Sequence, residues 1–219
     1  MQNRESKLSL WKRGLEVVPD YVWEQTELET LVLGENTLSE LSEQIGQMKK
    51  LRMIDLGHNL LTRVPEELSE LDGLSEFLYL HDNRLTSLPL SLAKLTKLRY
   101  LNVSQNEFEV FPECILGMSG LIELRLADNY LISLPDSLGR LAQLRELHLR
   151  NNRLSSLPGS IGDLQALRQL DLRGNPLTHL PRAIANLPRL DKLDLRWIET
   201  LTLPGWIADL EARGCTVYR

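Results

Sequence analysis

Four histidines and two cysteines are the residues of this chain whose side chains most readily bind metals or attack substrates. The histidines share no metal-ligand spacing; they are His58, His81, His148 and His179. Cys114 and Cys215 lie far apart and form neither a metal motif nor a disulfide framework. The sequence also lacks a phosphate-binding glycine loop and a nucleophile elbow. We therefore expect no catalysis, no metal and no cofactor.

A second group of residues is suited to binding a partner. Aromatic residues make up only 5% of the chain, and aromatic and arginine side chains are the usual anchors of protein interfaces. Several fall at matching positions of a repeated pattern, together with polar neighbours: Phe77, Tyr79, His81, Tyr100, Asn102, Arg125 and His148. We interpret this group as a candidate binding patch. The alternative is that these side chains only stabilise a sheet surface by cross-strand pairing.

A third group is a ladder of arginines in the C-terminal half, at one position of three successive units: Arg150, Arg173 and Arg196. Like charges on neighbouring strands are unfavourable unless something neutralises them. Nearby acidic residues could do so, namely Asp171, Asp194, Glu146 and Asp191. We favour a self-compensated, solvated lattice of charges. The alternative is that an acidic partner segment docks there, an interaction that added salt would weaken.

These groups are positioned by an internal repeat that runs through nearly the whole sequence. An asparagine follows each leucine-rich run: Asn36, Asn59, Asn83, Asn106, Asn129, Asn152 and Asn175. Successive members are 23 residues apart, except for one spacing of 24 between Asn59 and Asn83. The surrounding pattern is L-x-x-L-x-L-x-x-N-x-L-x-x-L-P-x-x-L-x-x-L-x-x, which the unit from Leu144 displays cleanly.

The pattern predicts a strand, a turn and a helical segment in every unit. Alternation in L-x-L turns two leucines inward, and such strands stacked about 4.8 Å apart would form one parallel sheet. The asparagine is expected to satisfy backbone groups of its own and the next coil. The proline suits the start of a short helix or 3-10 turn on the opposite side. The extra residue of the fourth unit, near Leu74 to Leu78, predicts a small bulge.

We predict a single domain over residues 1–219 with about nine such units. A degenerate first unit covers residues 5–27, regular units cover 28–189, and a degenerate last unit with a cap covers 190–219. Within that cap, a helix closed by Gly214 and a final strand from Cys215 to Tyr218 are expected. The N-terminal edge has no long cap, which leaves a homodimer through that edge open.

Seven near-regular copies of the pattern resemble the 23-residue, intracellular type of the leucine-rich-repeat family. That group includes Ras-pathway scaffolds and many bacterial proteins, some of them secreted effectors. The resemblance covers essentially the whole chain. It implies an α/β horseshoe solenoid with a parallel sheet on the concave face and short helical or 3-10 segments on the convex face. It also implies a protein-interaction scaffold, not an enzyme, that binds a protein partner through the concave face.

Two other functions stay open at this point. The chain could be the substrate-recognition fragment of a larger enzyme, such as a bacterial effector ubiquitin ligase or a kinase, although its cap-like C-terminal segment argues against this. Binding of a carbohydrate or another small ligand would need a concave pocket, which a smooth parallel sheet rarely provides.

Composition narrows the partners and the compartment. The net charge of −5 argues against a nucleic-acid partner, since such proteins usually carry a basic excess. No apolar run approaches the length of a membrane span, so we expect no membrane insertion. Two thiols in so long a chain favour a reducing compartment. We therefore expect a cytoplasmic protein of bacterial origin, or alternatively a secreted effector that acts in a host cytoplasm.

Overall fold

The computed structural model describes residues 6–219, and these form a curved solenoid built on one parallel sheet. Ten strands among these residues pair in chain order, and each coil of the chain contributes the next strand. The strands are β1 Lys7–Ser9, β2 Thr30–Val32, β3 Met53–Asp55, β4 Phe77–Tyr79, β5 Tyr100–Asn102, β6 Glu123–Arg125, β7 Glu146–His148, β8 Gln169–Asp171, β9 Lys192–Asp194 and β10 Thr216–Tyr218. The predicted horseshoe with a concave parallel sheet is confirmed.

Short 3-10 helices form the convex face, as the Leu-Pro pattern predicts. Within residues 6–219 they cover Asp20–Val22, Glu43–Gln47, Glu66–Glu70, Leu90–Lys94, Glu113–Gly117, Asp136–Arg140, Gly159–Asp163 and Arg182–Asn186. All but one of them begin directly after a proline, whose fixed φ suits a helix start. Where proline is replaced, the hydroxyl of Ser42 accepts a hydrogen bond from the backbone N–H of Gln44 at 3.2 Å.

One hydrophobic core fills the space between the sheet and the 3-10 helices along the solenoid. The middle residues of β2 to β9 are leucine or isoleucine, and each is at most 1% exposed: Leu31, Ile54, Leu78, Leu101, Leu124, Leu147, Leu170 and Leu193. Because side chains alternate along a strand, the first and third residues of each strand face the concave surface. These positions form columns across the sheet.

Buried asparagines join the coils where the chain leaves each strand, and Asn152 is typical. Its Nδ2 donates to the carbonyl oxygens of Leu149 and Arg150 in its own coil at 2.9 and 3.4 Å. The same nitrogen donates to the carbonyl of Leu126, and its Oδ1 accepts from the N–H of Leu131, at 2.9 and 3.0 Å. The predicted link to the next coil is wrong. The amide reaches the preceding coil, because the strand-end carbonyl of Leu126 points towards the coil that follows it.

The residue before each asparagine position has a left-handed backbone. Within residues 6–219 the angle φ lies between 51° and 61° at eight residues other than glycine: Lys12, Glu35, His58, Asp82, Gln105, Asp128, Asn151 and Trp197. Gly174 occupies the same position with φ of 66°. This conformation costs a non-glycine residue roughly 1–2 kcal/mol. The coil therefore depends on the neighbouring hydrogen bonds to hold a backbone that these residues do not prefer.

The extra residue of the fourth unit lies directly ahead of β4. The backbone N–H groups of Ser75 and Glu76 both point at the carbonyl oxygen of Arg52, at 3.4 and 2.9 Å. β4 then pairs in regular register with both neighbours, and Phe77 stands opposite Tyr100. The predicted bulge is wrong as a distortion of the sheet, because the additional residue is accommodated before pairing begins.

The last coil ends in a helix, α1 (Ile207–Ala212), and in β10, as the sequence predicts. Ile207 and Leu210 cover the end of the core, and Gly214 leaves the helix with φ of 92°. β10 pairs in parallel with β9. Neither α1 nor any other helix within residues 6–219 is long and apolar enough to cross a membrane.

We predict that Asn129→Ala destabilises the solenoid far more than Asn186→Ala. Asn129 donates to three carbonyl oxygens and accepts from the N–H of Phe108 at 3.2 Å, all in the buried turn. Buried groups left without partners cost about 1–3 kcal/mol each, so we expect a loss of about 3 kcal/mol. Asn186 is exposed at a 3-10 helix end and should change stability by less than about 0.5 kcal/mol. Urea unfolding measures both; equal losses would contradict the proposed role of the amide.

We also predict that Gly174→Ala destabilises the solenoid more than Gly159→Ala, because only Gly174 has a left-handed backbone. Gly174→Ala forces a side chain onto φ of 66° and places its Cβ against Oδ1 of Asn151, so we expect a loss of about 1–2 kcal/mol. Gly159→Ala is the control, since a Cβ there meets no atom within 4 Å. Thermal unfolding of both variants checks this. A Gly174→Ala variant as stable as the control would show that this backbone is unstrained.

Candidate functional site

Four rings meet at the middle of the concave face, and we call them the central aromatic cluster: Phe77, Tyr79, His81 and Tyr100. The centroids of Phe77 and Tyr79 are 5.8 Å apart, those of Phe77 and Tyr100 5.4 Å, and those of Tyr79 and Tyr100 5.1 Å. The ring of His81, just beyond β4, lies 6.0 Å from that of Tyr79. The structure thus brings together the aromatic members of the predicted patch.

The cluster combines an apolar surface with polar tips. Phe77 is 39% exposed, which leaves much of its ring open to a partner. Burial raises the pKa of Tyr79 and raises the pKa of Tyr100 to about 12. Both phenols therefore stay protonated at neutral pH, and each offers a hydroxyl that can donate or accept a hydrogen bond.

A glycine in the preceding coil makes room for His81. A Cβ on Gly57 would lie 2.3 Å from Cε1 of His81, so a side chain at that position would have to displace the His81 ring. Burial, and then the neighbouring ring of His58, lower the pKa of His81, so the ring is neutral at neutral pH. Nδ1 of His81 is buried and has no hydrogen-bond partner within residues 6–219. Sequence analysis missed Gly57, although only two positions of this column hold glycine, Gly34 and Gly57.

Arg125 borders the central aromatic cluster on its C-terminal side. Its guanidinium lies 5.7 Å from the centre of the Tyr100 ring, within the range of a cation–π interaction. Its Nε donates to Oε1 of Glu123 at 2.6 Å. Arg125 therefore contributes a flat, hydrogen-bonding surface beside the rings, with its charge largely compensated.

Asn102 belongs to the predicted patch, but the structure leaves little of it accessible. It stands between Tyr79 and Arg125 in register, and only 9% of it is exposed. Its Oδ1 accepts a hydrogen bond from the backbone N–H of Ser104 at 3.0 Å. The longer side chains on both neighbouring strands leave little of this short amide exposed. We therefore assign Asn102 a supporting role beneath the patch.

His148 follows Arg125 in the same column and faces two carboxylates. Its Nε2 lies 3.4 Å from Oε2 of Glu146 and 3.7 Å from Oε1 of Glu123. Burial, and then the charge of Arg125, lower the pKa of His148. The ring is therefore neutral at neutral pH, and it does not form a strong ion pair with these carboxylates.

The arginine ladder is a network of ion pairs. Arg173 binds Asp171 through two nitrogens at 2.8 and 2.5 Å, and Arg196 binds Asp194 in the same way at 2.9 and 2.7 Å. Arg150 pairs instead with Asp128, which the sequence had not indicated, at 2.7 Å. Burial alone would raise the pKa of Asp194, but hydrogen bonds from Arg196 outweigh it and hold this pKa below its usual value. These contacts favour the self-compensated lattice.

Two aromatic residues extend this network at the C-terminal end and were missed by sequence analysis. Trp197 is 65% exposed, and the guanidinium groups of Arg173 and Arg196 lie 5.5 and 5.7 Å from its ring. Arg196 also lies 5.1 Å from the ring of Tyr218 on β10. Trp197 could have been found in the sequence as the one tryptophan among residues 12, 35, 58, 82, 105, 128, 151, 174 and 197, which precede the asparagine position.

A small hollow lies on the concave face among the charged columns. Its volume is about 220 Å³, and its lining includes Arg125, His148 and Arg150. Pockets for drug-sized ligands usually enclose roughly 300–1,000 Å³. The hollow is too small and too polar to favour the small-ligand alternative.

Comparison with known families identifies the class of protein. A family model described as leucine rich repeat matches residues 6–61, 26–85, 76–131 and 108–154. A second model, described as leucine-rich repeat region, matches residues 132–212. The chain therefore belongs to the leucine-rich-repeat family. No match was found among curated proteins.

Solved structures of similar shape come from bacteria and plants. A leucine-rich-repeat protein of Leptospira interrogans superimposes with a TM-score of 0.72 at 26% identity, covering 95% of this chain and 65% of the other. The ectodomain of the Arabidopsis thaliana membrane receptor kinase GASSHO1/SCHENGEN3 gives 0.67 at 30% identity, covering 88% and 27%. The PEPR1-AtPEP1 structure gives 0.69 at 22% identity, covering 92% and 36%, and shows the fold alone. This chain spans less than two thirds of each.

We predict that Asp194→Asn lowers the free energy of unfolding at neutral pH, whereas Asp191→Asn has little effect on it. Asp194 is 1% exposed and binds Arg196, and hydrogen bonds to charged groups contribute about 1.5–3 kcal/mol. Asp191 is the control, since its ion pair with Arg168 is solvent-exposed and should contribute less than about 1 kcal/mol.

The pH dependence of the stability lost in Asp194→Asn follows from the lowered pKa of Asp194. The folded pKa of Asp194 is lowered, so its contribution is complete above the ordinary value of 3.8 and is lost as pH falls below it. Urea unfolding from pH 7 to pH 3 should therefore show wild type and Asp194→Asn converging at the acid end. A difference in stability that stays constant would contradict the assignment.

Proposed function

We propose that this leucine-rich-repeat chain binds a protein partner through its concave face, with the central aromatic cluster as the anchor. The observation that carries the proposal is the contact of Phe77, Tyr79 and Tyr100 on an open sheet surface. Aromatic residues near the centre of a face, bordered by an arginine, are the usual composition of an interface hot spot. Arg125 occupies that border position.

Sheet stability alone gives a weaker account of these rings. Cross-strand aromatic pairs contribute only about 0.2–1 kcal/mol each, and the equivalent first positions of neighbouring strands hold Met53 and Glu123 without such rings. Phe77 keeps 39% of its surface in water. A partner that covers the cluster would remove this apolar surface from water, at about 25 cal/mol per Å².

The structural neighbours support a recognition role in general terms. The GASSHO1/SCHENGEN3 ectodomain was solved in complex with CASPARIAN STRIP INTEGRITY FACTOR 2. The extension of this role to the present chain, and to its concave face, is our proposal. The C-terminal arginines are a poorer anchor, since an acidic partner would have to displace the aspartates that already bind them.

An alternative function is recognition of a substrate or ligand on behalf of an enzyme that carries these repeats. One observation favours it, because the GASSHO1/SCHENGEN3 ectodomain belongs to a receptor kinase. A bacterial effector ubiquitin ligase would use the repeats in the same way. The concave face would be the contact surface whether the repeats act alone or serve an enzyme. The sequence that flanks this chain in its gene would distinguish the two functions.

We also propose a reducing compartment such as the cytoplasm, of the source cell or of a host. Cys114 and Cys215 are both buried free thiols, and burial raises the pKa of Cys114 to about 11. Homodimerisation through the edge strand β1 stays a prediction, which sedimentation analysis at rising concentration would test.

The decisive experiment compares partner recovery by two triple-alanine variants. Replacing Tyr79, Tyr100 and Arg125 removes two of the four rings and the arginine beside them while sparing the buried leucines, so recovery of wild-type partners should fall at least about tenfold. The matched control replaces Leu90, Val110 and Ile132, which are 71%, 70% and 58% exposed and lie off the strands. Affinity purification with mass spectrometry, followed by titration of the purified partner, measures the effect. Unaltered recovery by the variant lacking Tyr79, Tyr100 and Arg125, or an equal loss in the control, would contradict the proposal.

A further inference from the structure

Three metal-ligating side chains from β6 and β7 meet on the concave face, although their sequence spacing gives no metal motif. They are Glu123, Glu146 and His148, and one ligand atom of each lies within 4.8 Å of the others. The coil places Glu123, which is 23 residues earlier in the chain, directly beside Glu146. All three side chains are partly buried.

The spacing of the trio suits a shared cation, and the hydrogen bond between His148 and Glu146 within it is a long one. Nε2 of His148 is 3.4 Å from Glu146 and 3.7 Å from Glu123, whereas nitrogen–oxygen hydrogen bonds are usually about 2.7–3.2 Å long. Ligands around a tetrahedral zinc ion with bonds of about 2.1 Å stand roughly 3.4 Å from one another. The imidazole nitrogen therefore already lies near one tetrahedral edge from both carboxylates.

The charges around the trio also leave room for a cation. Glu123 and Glu146 stand directly opposite each other on neighbouring strands, and like charges in that arrangement repel. Arg125 compensates Glu123 through its 2.6 Å contact. Within residues 6–219, no lysine or arginine forms an ion pair with Glu146, whose ion-pair contact is with His148.

We propose that Glu123, Glu146 and His148 bind a divalent transition-metal ion, with Zn²⁺ as the best match. One imidazole with two carboxylates is a ligand set that zinc accepts, whereas Ca²⁺ takes six to eight oxygen ligands. Three protein ligands leave a fourth position for water or for a side chain of a partner. The site adjoins the central aromatic cluster but does not depend on it, so either proposal can fail without the other.

The test is calorimetric titration of the chelator-treated full chain with ZnCl₂. We expect one ion per chain, and at least about tenfold weaker binding in His148→Asn and in Glu146→Gln. His58→Asn is the matched control, because His58 also stands beside carboxylates, of Asp82 and Glu35, and asparagine tolerates its left-handed backbone. The control should bind zinc as wild type does.

A second measurement keeps the test independent of variant folding. Histidine-ring NMR signals of the wild-type chain should shift on zinc addition for His148 and stay in place for His58, His81 and His179. Absence of binding to wild type, equal binding by His148→Asn and wild type, or a shift confined to the other histidines would overturn the proposal.

Discussion

Each of the seven regular coils of this protein depends on one buried asparagine amide that satisfies the backbone where a strand ends. The carbonyl of Leu126 lies just beyond β6 and accepts from two amides, that of Asn129 in its own coil and that of Asn152 in the following coil. The amide of Asn152 also accepts from the N–H of Leu131, so a single side chain closes two gaps between adjacent coils. Unpaired buried backbone groups are costly. Such an amide also stabilises the left-handed residue just before it, such as Gln105 ahead of Asn106, whose side chain disfavours that backbone.

This constraint explains why the concave face can carry function. Because each coil is tied to its neighbour at the same point, the strands pair in one register and equivalent residues stand side by side. Residues 23 positions apart in the chain thus become direct neighbours. The fourth unit shows how firmly the register is kept, since its extra residue is taken up at Ser75 and Glu76, ahead of the strand. Phe77 and Tyr100 consequently remain opposite each other and can form the centre of the aromatic cluster.

The fold could be predicted from the sequence because the pattern, repeated seven times, indicates both where each strand lies and where the turn after it begins. The columns followed from the same period, and so did the meeting of Phe77, Tyr79 and Tyr100. What escaped prediction depends on side-chain length and direction within a column. Asn102 is buried because its neighbours are longer, and Arg150 reaches back to Asp128 instead of forward. The trio around His148 joins two coils through rotamers that no spacing rule describes. The hydrogen bonds of the asparagine were predicted to reach the next coil, but they reach the preceding one. The period is the same in both directions along the solenoid, so it does not show towards which coil a backbone carbonyl points.

The two halves of the concave face differ in what a partner must displace. In the C-terminal half Arg173 and Arg196 each bind an aspartate through two nitrogens, and Asp194 is 1% exposed, so a partner would have to break these bidentate pairs before forming its own. Replacing one buried charge pair with another yields little net free energy of binding. The aromatic centre presents the opposite case, because Phe77 and its neighbours lose only water on contact. Glu123, Glu146 and His148 lie at the boundary between these halves, where a bound cation would add a fixed positive centre beside an apolar surface. A partner that placed an apolar side chain on the aromatic cluster and a metal-ligating side chain on the bound cation would use both features of the concave face.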